Sequence, residues 1–202
     1  MTKDKLTFNE ADHTYKLNGK EIPSVSQILR EEGFYGSLDR VNPIRLENAM
    51  ENGKAKHYGL QLLDKGELDW STVDDKVGHC IEEYIRFKSL YKIEIIETEN
   101  PIYSKLLWVA GTPDRIALVN GIMSVIDFKS GGKYLATRAQ LALYLLMWNE
   151  MHPKQKIRRR YELNIQGKKD FEFIQYKDEI DITGVQSFCI GRNYKRRIKL
   201  WK

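Results

Sequence analysis

The spacing of hydrophobic residues changes along the chain, and the change predicts the order of its elements. Apolar residues recur at helical spacing in 43–64, 71–91 and 136–151, and the tail from Asp181 has the same character. Between and after these helices, β-branched and aromatic residues predict strands at 93–98, 103–109, 115–119, 123–128, 158–166 and 170–175. This order predicts an α/β fold in which helices flank a central mixed β-sheet.

A small N-terminal hairpin and helix are expected to precede that core. Asn18-Gly19 is a strong hairpin turn between short predicted strands at 14–17 and 20–22. Ser24 is placed to cap a short helix that ends near Gly33.

The 202 residues are predicted to form a single domain. No internal repeat, low-complexity tract or Gly/Ser/Pro-rich linker divides them. The predicted parts are an N-terminal extension (1–42), a core (43–176) and a basic C-terminal helix (177–202). Within the core, Ser71 with Asp74 approximates a capping box at the start of the second long helix.

Composition excludes several classes of protein. With 42% hydrophobic and 30% charged residues the chain is neither disordered nor collagen-like, and its apolar stretches fall short of the roughly 20 residues of a membrane helix. The first twelve residues contain acidic residues and no apolar core, so we expect a cytoplasmic protein with no membrane partner. Cys80 and Cys189 are too few for a four-thiolate metal or iron–sulfur site and are expected to be buried thiols.

The net charge of +5 is distributed unevenly. Residues 154–202 contain 14 basic and 6 acidic residues, a net charge of +8, which leaves −3 for residues 1–153. Within the C-terminal part, basic residues cluster at 158–160 and from Arg192 onward. Such clusters suit a polyanion such as nucleic acid, but a solvated surface explains them as well.

Two acidic residues and a lysine are predicted to meet at one hairpin. Asp114 ends the segment Gly111-Thr112-Pro113-Asp114, and Asp127-Phe128-Lys129 follows thirteen residues later. If Asn120-Gly121 closes the hairpin, Asp114 and Asp127 lie on neighbouring strands, and strand alternation puts Lys129 on the face of Asp127.

This arrangement suits phosphodiester hydrolysis. Two carboxylates can share Mg²⁺ or Mn²⁺ and leave room for a phosphate and a water. Lys129 could then orient or deprotonate that water, or offset charge on the phosphoryl group. The alternative is that Asp114 ends a turn and that Asp127 and Lys129 form an ordinary ion pair on the sheet.

Further motifs accompany these residues in a recognisable order. They are His13-Thr14-Tyr15 with the segment 23–29, Gly53-Lys54-Ala55-Lys56-His57, Glu99, Ile126-Asp127-Phe128-Lys129-Ser130-Gly131 and Gln140-Leu141-Ala142-Leu143-Tyr144. From about residue 6 to about residue 176 the chain resembles the PD-(D/E)XK nuclease superfamily, specifically its RecB-like and phage-exonuclease branch. The resemblance implies a restriction-endonuclease-like core with the element order αβββαβ.

The resemblance also implies roles for the matched residues. Asp114, Asp127 and the backbone carbonyl of Phe128 would bind the metal, and Lys129 would be the catalytic lysine. His57 would be a further ligand, whose imidazole suits Mn²⁺ as well as Mg²⁺. Glu99 would bind metal or support His57. Without the resemblance, His57 is more simply a core or capping histidine, and a solvated strand end explains Glu99 equally well.

A second group of residues is predicted to contact DNA. Gln140 and Tyr144 lie four residues apart on one helical face, and the resemblance implies that they place the substrate, although Tyr144 suits the core equally. Further predicted phosphate contacts are Ser130, Lys133, Arg138, Arg158, Arg159, Arg160, Arg196 and Arg197.

The predicted function is a divalent-metal-dependent DNA exonuclease that serves recombination, repair or replication of phage or bacterial DNA. Its expected location is the cytoplasm of a bacterial or phage-infected host cell. Its partner would be DNA, as double-stranded ends or single strands, and a recombination or replication protein or an oligomeric state would be compatible with it. The alternatives are a structure- or sequence-directed endonuclease on the same fold and a non-catalytic nucleic-acid-binding module.

Overall fold

The computed structural model describes residues 4–35, 42–131, 135–167 and 170–198. The helices are α1 (Val25–Glu31), α2 (Pro43–Lys65), α3 (Asp75–Leu90), α4 (Leu135–Met151) and α5 (Ile180–Arg197). The strands are β1 (Leu6–Asn9), β2 (Thr14–Leu17), β3 (Lys20–Ile22), β4 (Ile93–Thr98), β5 (Ile102–Ser104), β6 (Val109–Gly111), β7 (Arg115–Val119), β8 (Ile122–Lys129), β9 (Arg159–Asn164) and β10 (Glu172–Tyr176).

Five strands form the central sheet, in the order β10-β9-β8-β7-β4. Neighbouring strands are antiparallel except β8 and β9, which run parallel because α4 connects them as a crossover. This arrangement confirms the predicted α/β class with a central mixed sheet between helices.

Alternation along the strands divides the core between the two faces of the sheet. Ile116 and Val125, paired across β7 and β8, pack with α1, α4 and α5. The next positions, Ala117 and Ile126, belong to a second cluster with α2 and α3. Consecutive residues of β7 and β8 therefore face different helices, as a strand buried on both sides requires.

The N-terminal segment packs against the loop that leads to β7. Strands β1, β2 and β3 form an antiparallel sheet whose turn places Asn18 and Gly19 at positive φ, as the Asn-Gly sequence predicts. Ser24 caps α1 in a capping box with Gln27, which confirms the predicted cap. The Ala110 N–H donates to the Pro23 carbonyl at 3.0 Å, so the segment lies beside β6.

The prediction of one strand over 103–109 is wrong. The chain instead forms β5 and β6, which pair antiparallel as a separate two-stranded sheet. The carboxylate of Glu150 on α4 accepts hydrogen bonds from the Ser104 hydroxyl and the Lys105 N–H, and Trp108 takes a left-handed φ of 52°. A turn stabilised by a residue 46 positions away leaves no signal in local hydrophobic spacing.

The predicted start of the second long helix is also wrong. Ser71 lies in a short 3-10 helix, Trp70–Thr72. Helix α3 begins after Asp74, whose carboxylate accepts from the Val77 N–H at 3.0 Å. Asp74 is therefore the N-cap, because its side chain reaches the third residue of the helix.

Two other expectations concern the chain as a whole. Cys80 and Cys189 are buried free thiols, as predicted. Among the helices in the described ranges, none combines the length and the apolar character needed to cross a membrane.

Candidate active site

The β7–β8 hairpin brings the two acidic residues side by side. Asn120 and Gly121 both take positive φ at its turn, and Arg115 pairs with Ile126 at its far end. Asp114 and Asp127 are the next residues outward from that pair. The Phe128 N–H donates to Asp114 Oδ2 at 2.6 Å, so the Asp114 carboxylate lies against the end of β8.

Lys129 lies on the same face of β8 as Asp127. Its Nζ is 2.5 Å from Asp127 Oδ2, and Asp127 is 1% exposed. Lys129 also donates to Gln140 Oε1 at 3.4 Å, and Gln140 donates to the Tyr144 hydroxyl at 3.1 Å. The motif on α4 is thus connected to the lysine by direct hydrogen bonds, and buried Tyr144 belongs both to the core and to this chain of contacts.

His57 approaches Asp114 from α2. Its Nδ1 is 3.3 Å from Asp114 Oδ1, and its ring meets the Phe128 ring edge-on at a centroid distance of 6.0 Å. The Asp114 carboxylate therefore lies between an imidazole and a backbone N–H. A histidine held in this way can stabilise the carboxylate or share a cation with it.

Glu99 reaches the same region from the end of β4. It takes a left-handed φ of 47°, and its N–H donates to the Asp114 carbonyl at 3.2 Å. Burial raises the pKa of its carboxyl, and the charge of Asp114 adds to that effect. Glu99 is thus beside the two aspartates and partly shielded from water.

The charged groups of the site differ in pKa because their surroundings differ. Burial alone would raise the pKa of Asp114, but His57, Lys129 and the Phe128 N–H outweigh it and lower that pKa. At Asp127 burial dominates and raises the pKa, with Asp114 adding to the effect and Lys129 opposing it. Asp114 raises the pKa of His57 against the effect of burial, and Asp127 and Asp114 do the same for Lys129.

The donor chemistry of the site fits a hard divalent cation. Within the described ranges no group of three His, Cys, Asp or Glu side chains is already arranged around a metal position. However, Asp127 Oδ2 is buried without a hydrogen-bond donor of good geometry, and a second carboxylate lies beside it. Two adjacent carboxylates, a nearby carbonyl and water are the oxygen ligands that Mg²⁺ and Mn²⁺ take in proteins.

The predicted phosphate contacts separate into several places. Ser130 is half-buried and lines a small cavity with His57 and Lys129. Arg138 pairs with Asp181 at 3.0 Å and with Asp178 at 3.3 Å. Arg160 is 2% exposed and also pairs with Asp181, so it lies inside the protein, out of reach of a polyanion.

The remaining arginines lie away from the acid–lysine cluster. Arg159 pairs with Ser124 across β8 and β9, whereas Lys129 pairs with Asn164. Those positions are separated by about five residues, or roughly 17 Å along the strands. Arg158 is exposed at that distant end, Arg197 is exposed on α5, and the Arg196 guanidinium lies 4.4 Å from the centre of the Trp108 ring. Lys133 lies outside the described residues.

Three buried charged residues near the site were not identified from the sequence. Arg115 and Asp64 pair at 2.6 Å directly behind Asp114. Glu162 pairs in register with Asp127 across β8 and β9, accepts a hydrogen bond from the Tyr176 hydroxyl and leaves its Oε1 without a partner. The sequence did contain a signal for Arg115 and Glu162, because each is a charged residue within a predicted strand.

Comparison with known proteins shows little similarity in sequence. No protein-family model matches the chain, and no curated protein matches it. Among solved structures, one match is the crystal structure of a "Putative exonuclease" from Eubacterium rectale, with 10% sequence identity and a TM-score of 0.48 over 90% of this chain and 75% of that chain.

Proposed function

We propose that this chain is a divalent-metal-dependent DNA exonuclease of the PD-(D/E)XK superfamily, in its RecB-like and phage-type branch. One observation carries the proposal: the Asp114 and Asp127 carboxylates lie together at the strand ends, with Lys129 Nζ 2.5 Å from Asp127. The mixed sheet between helices is compatible with a restriction-endonuclease-like core, and the proposed setting is recombination, repair or replication of bacterial or phage DNA.

The cation would be held by residues from three elements. Asp114 and Asp127 supply carboxylates, Phe128 supplies its backbone carbonyl, and His57 is the nearest nitrogen donor. Bound Mg²⁺ or Mn²⁺ polarises a phosphate and lowers the pKa of a coordinated water.

The residues around the cation site have complementary tasks. His57 and the Phe128 N–H fix the rotamer of Asp114, so its carboxylate is pre-oriented. The Lys129 ammonium, close to Asp127 and Gln140, offsets negative charge on a phosphoryl group and orients the attacking water. Tyr144 holds Gln140 and thereby limits the positions open to the lysine.

Cleavage of defined DNA substrates tests this proposal. End-labelled linear duplex, single strands and covalently closed circles are incubated with Mg²⁺, Mn²⁺ or EDTA. We expect degradation of linear DNA only, and only with metal. Lys129→Met should lower the rate by about 100-fold or more, because it removes a preorganised charge from a buried site. Lys92→Met, at an exposed lysine outside the site, should cleave like the wild type.

Each contrary result points to a different error. Cutting of closed circles as fast as linear DNA would make the protein an endonuclease. Binding of DNA without cleavage in either metal would make it a non-catalytic module. Unchanged cleavage by Lys129→Met would remove the lysine from the mechanism.

A further inference from the structure

A buried arginine, Arg115, follows Asp114 in the chain and donates to its backbone carbonyl. The Arg115 side chain is fully buried, and its Nε lies 2.6 Å from Oδ2 of Asp64, which is also fully buried. A buried ion pair is costly to desolvate and weak evidence of stabilisation by itself. Because the pair lies at the proposed metal site, its role is better sought in holding the neighbouring residues in position.

Arg115 contacts two residues of the proposed metal site, Asp114 and Phe128, and lies beside Glu99. Its Nη1 donates to the Asp114 carbonyl at 2.6 Å and lies 3.8 Å from Glu99 Oε1. Its guanidinium carbon lies 5.0 Å from the centre of the Phe128 ring. The planar, charged guanidinium suits these simultaneous contacts, because it donates in fixed directions and stacks on an aromatic face.

Asp64 connects this arginine to the helix that carries His57. Asp64 follows His57 by seven residues, two turns of α2, so both lie on the same face of the helix. Asp64 also accepts hydrogen bonds from the Tyr84 hydroxyl at 3.0 Å and from Lys88 Nζ at 2.8 Å, both on α3. Helices α2 and α3 and strand β7 therefore meet at one carboxylate.

The N-terminal half of α2 provides little other anchorage, whereas the C-terminal half packs on α3 through Gly59, Leu60 and Leu63. Its described side chains between residues 44 and 52 are exposed, and its buried positions begin at Gly59 and Leu60. The junction with Arg115 lies just beyond those positions. A shift of Asp64 would move His57 relative to Asp114, because the two residues belong to one rigid helix.

We infer that Asp64 and Arg115 form a positioning pair, which sets His57, Asp114 and Phe128 in the geometry that binds the divalent cation. The inference rests on the proposed function for the identity of the site. Asp64 and Arg115 themselves are not catalytic residues, since they act through the residues they hold.

Substitutions of the pair test the inference through metal binding. Arg115→Met, Asp64→Asn and the double variant are compared with the wild type by calorimetric titration with Mn²⁺ and by steady-state cleavage of linear DNA. We expect each single variant to bind Mn²⁺ about 10- to 100-fold more weakly, with a similar fall in kcat and with KM within about threefold. The double variant should lose little more than either single variant, because the two residues act as a unit.

Two further variants separate positioning from general stability. Arg115→Lys should recover only part of the Mn²⁺ affinity, because an ammonium lacks the planar fork. Arg86→Met serves as the matched control: Arg86 pairs with Asp170 at 2.9 Å and lies over the Phe171 ring, at the surface and outside the site. It should keep the wild-type Mn²⁺ affinity.

Hydrogen exchange of the metal-free protein gives a readout that needs no activity. Amides of residues 57–64 should exchange faster in Asp64→Asn and Arg115→Met, and at the wild-type rate in Arg86→Met. A folded Arg115→Met protein with wild-type Mn²⁺ affinity and exchange would overturn the inference. If Arg115→Met does not fold, Asp64→Asn decides by the same criteria. A wild-type protein that binds Mn²⁺ but cleaves no DNA would contradict the proposed function alone.

Discussion

Asp114 and Asp127 are the same residue type in opposite electrostatic surroundings. Asp114 has a cation partner in His57 and a backbone donor in Phe128, which favour its ionised form and lower its pKa. Asp127 is buried beside another carboxylate, and its pKa is raised despite the nearby Lys129. In the metal-free protein, folding therefore favours the charge on Asp114 and opposes the charge on Asp127.

Replacing each aspartate by asparagine should change the stability of the folded protein, in opposite directions at the two positions. A carboxyl whose pKa is raised by folding destabilises the folded protein increasingly as pH rises from its unfolded pKa through its folded pKa. A carboxyl whose pKa is lowered by folding stabilises the folded protein at pH values above its unfolded pKa. At pH 8 in EDTA, Asp127→Asn should raise the free energy of unfolding by about 1–2 kcal/mol, and Asp114→Asn should lower it by about 1–3 kcal/mol. Urea unfolding at pH 8 and pH 5 measures the free energy of unfolding of both variants. The increase caused by Asp127→Asn should be smaller at pH 5 than at pH 8. A destabilised Asp127→Asn protein at pH 8 would contradict this account.

At the scale of elements, three segments meet over a glycine at the end of β6. A Cβ on Gly111 would lie 2.9 Å from the Tyr144 ring on α4 and 2.9 Å from a methyl group of Val25 on α1. The Tyr15 hydroxyl on β2 shares a 2.8 Å hydrogen bond with Thr112, the next residue. The N-terminal segment, β6 and α4 are thus packed closely beside the chain of contacts that leads to Lys129.

Gly111→Ala should disturb both stability and the site. The added methyl group must displace Tyr144 or Val25, and such overpacking typically costs about 1–3 kcal/mol. Displacement of Tyr144 should also lower the cleavage rate through Gln140. Gly184→Ala is the control, because a Cβ there meets nothing within 4 Å and alanine favours the interior of α5. Chemical denaturation and cleavage assays of both variants test this, and equal stability of the two would refute the packing argument.

Across the whole molecule, the basic clusters do not form one surface at the site. The +8 of residues 154–202 includes Arg160, which is buried against Asp181, and Arg196, which lies over Trp108. Arg158, Arg196 and Arg197 are exposed and available to a polyanion, although the Arg196 guanidinium packs on the Trp108 ring. Only part of the basic C-terminal charge is therefore accessible to a polyanion.

Salt titration of DNA binding distinguishes the exposed arginines from the buried one. Affinity should fall steeply with salt, and Arg158→Gln and Arg197→Gln should each reduce the slope of log K against log salt by about one, the change expected for one lost phosphate contact. Arg160→Gln should leave the slope unchanged and lower the melting temperature, since it breaks a buried pair. Fluorescence anisotropy with a short duplex measures the slopes, and an affinity indifferent to salt would make these clusters merely solubilising.

The local sequence determined the elements whose signals are short-range. The β7–β8 hairpin follows from Asn120-Gly121 and strand alternation, and that hairpin alone places Asp114 beside Asp127 with Lys129 on the same face. The helix cap at Ser24 was readable for the same reason. These features depend on residues only a few positions apart, so propensity and period suffice to predict them.

Only the tertiary structure decided which charged residues are buried and which partners they take. Glu150 stabilises the turn that divides β5 from β6, and Asp64 meets Arg115 across 51 residues of chain. Arg158 and Arg160 belong to one basic run, yet one is exposed and the other is buried. Burial depends on which helix covers each face of the sheet, and that is set by packing between distant segments.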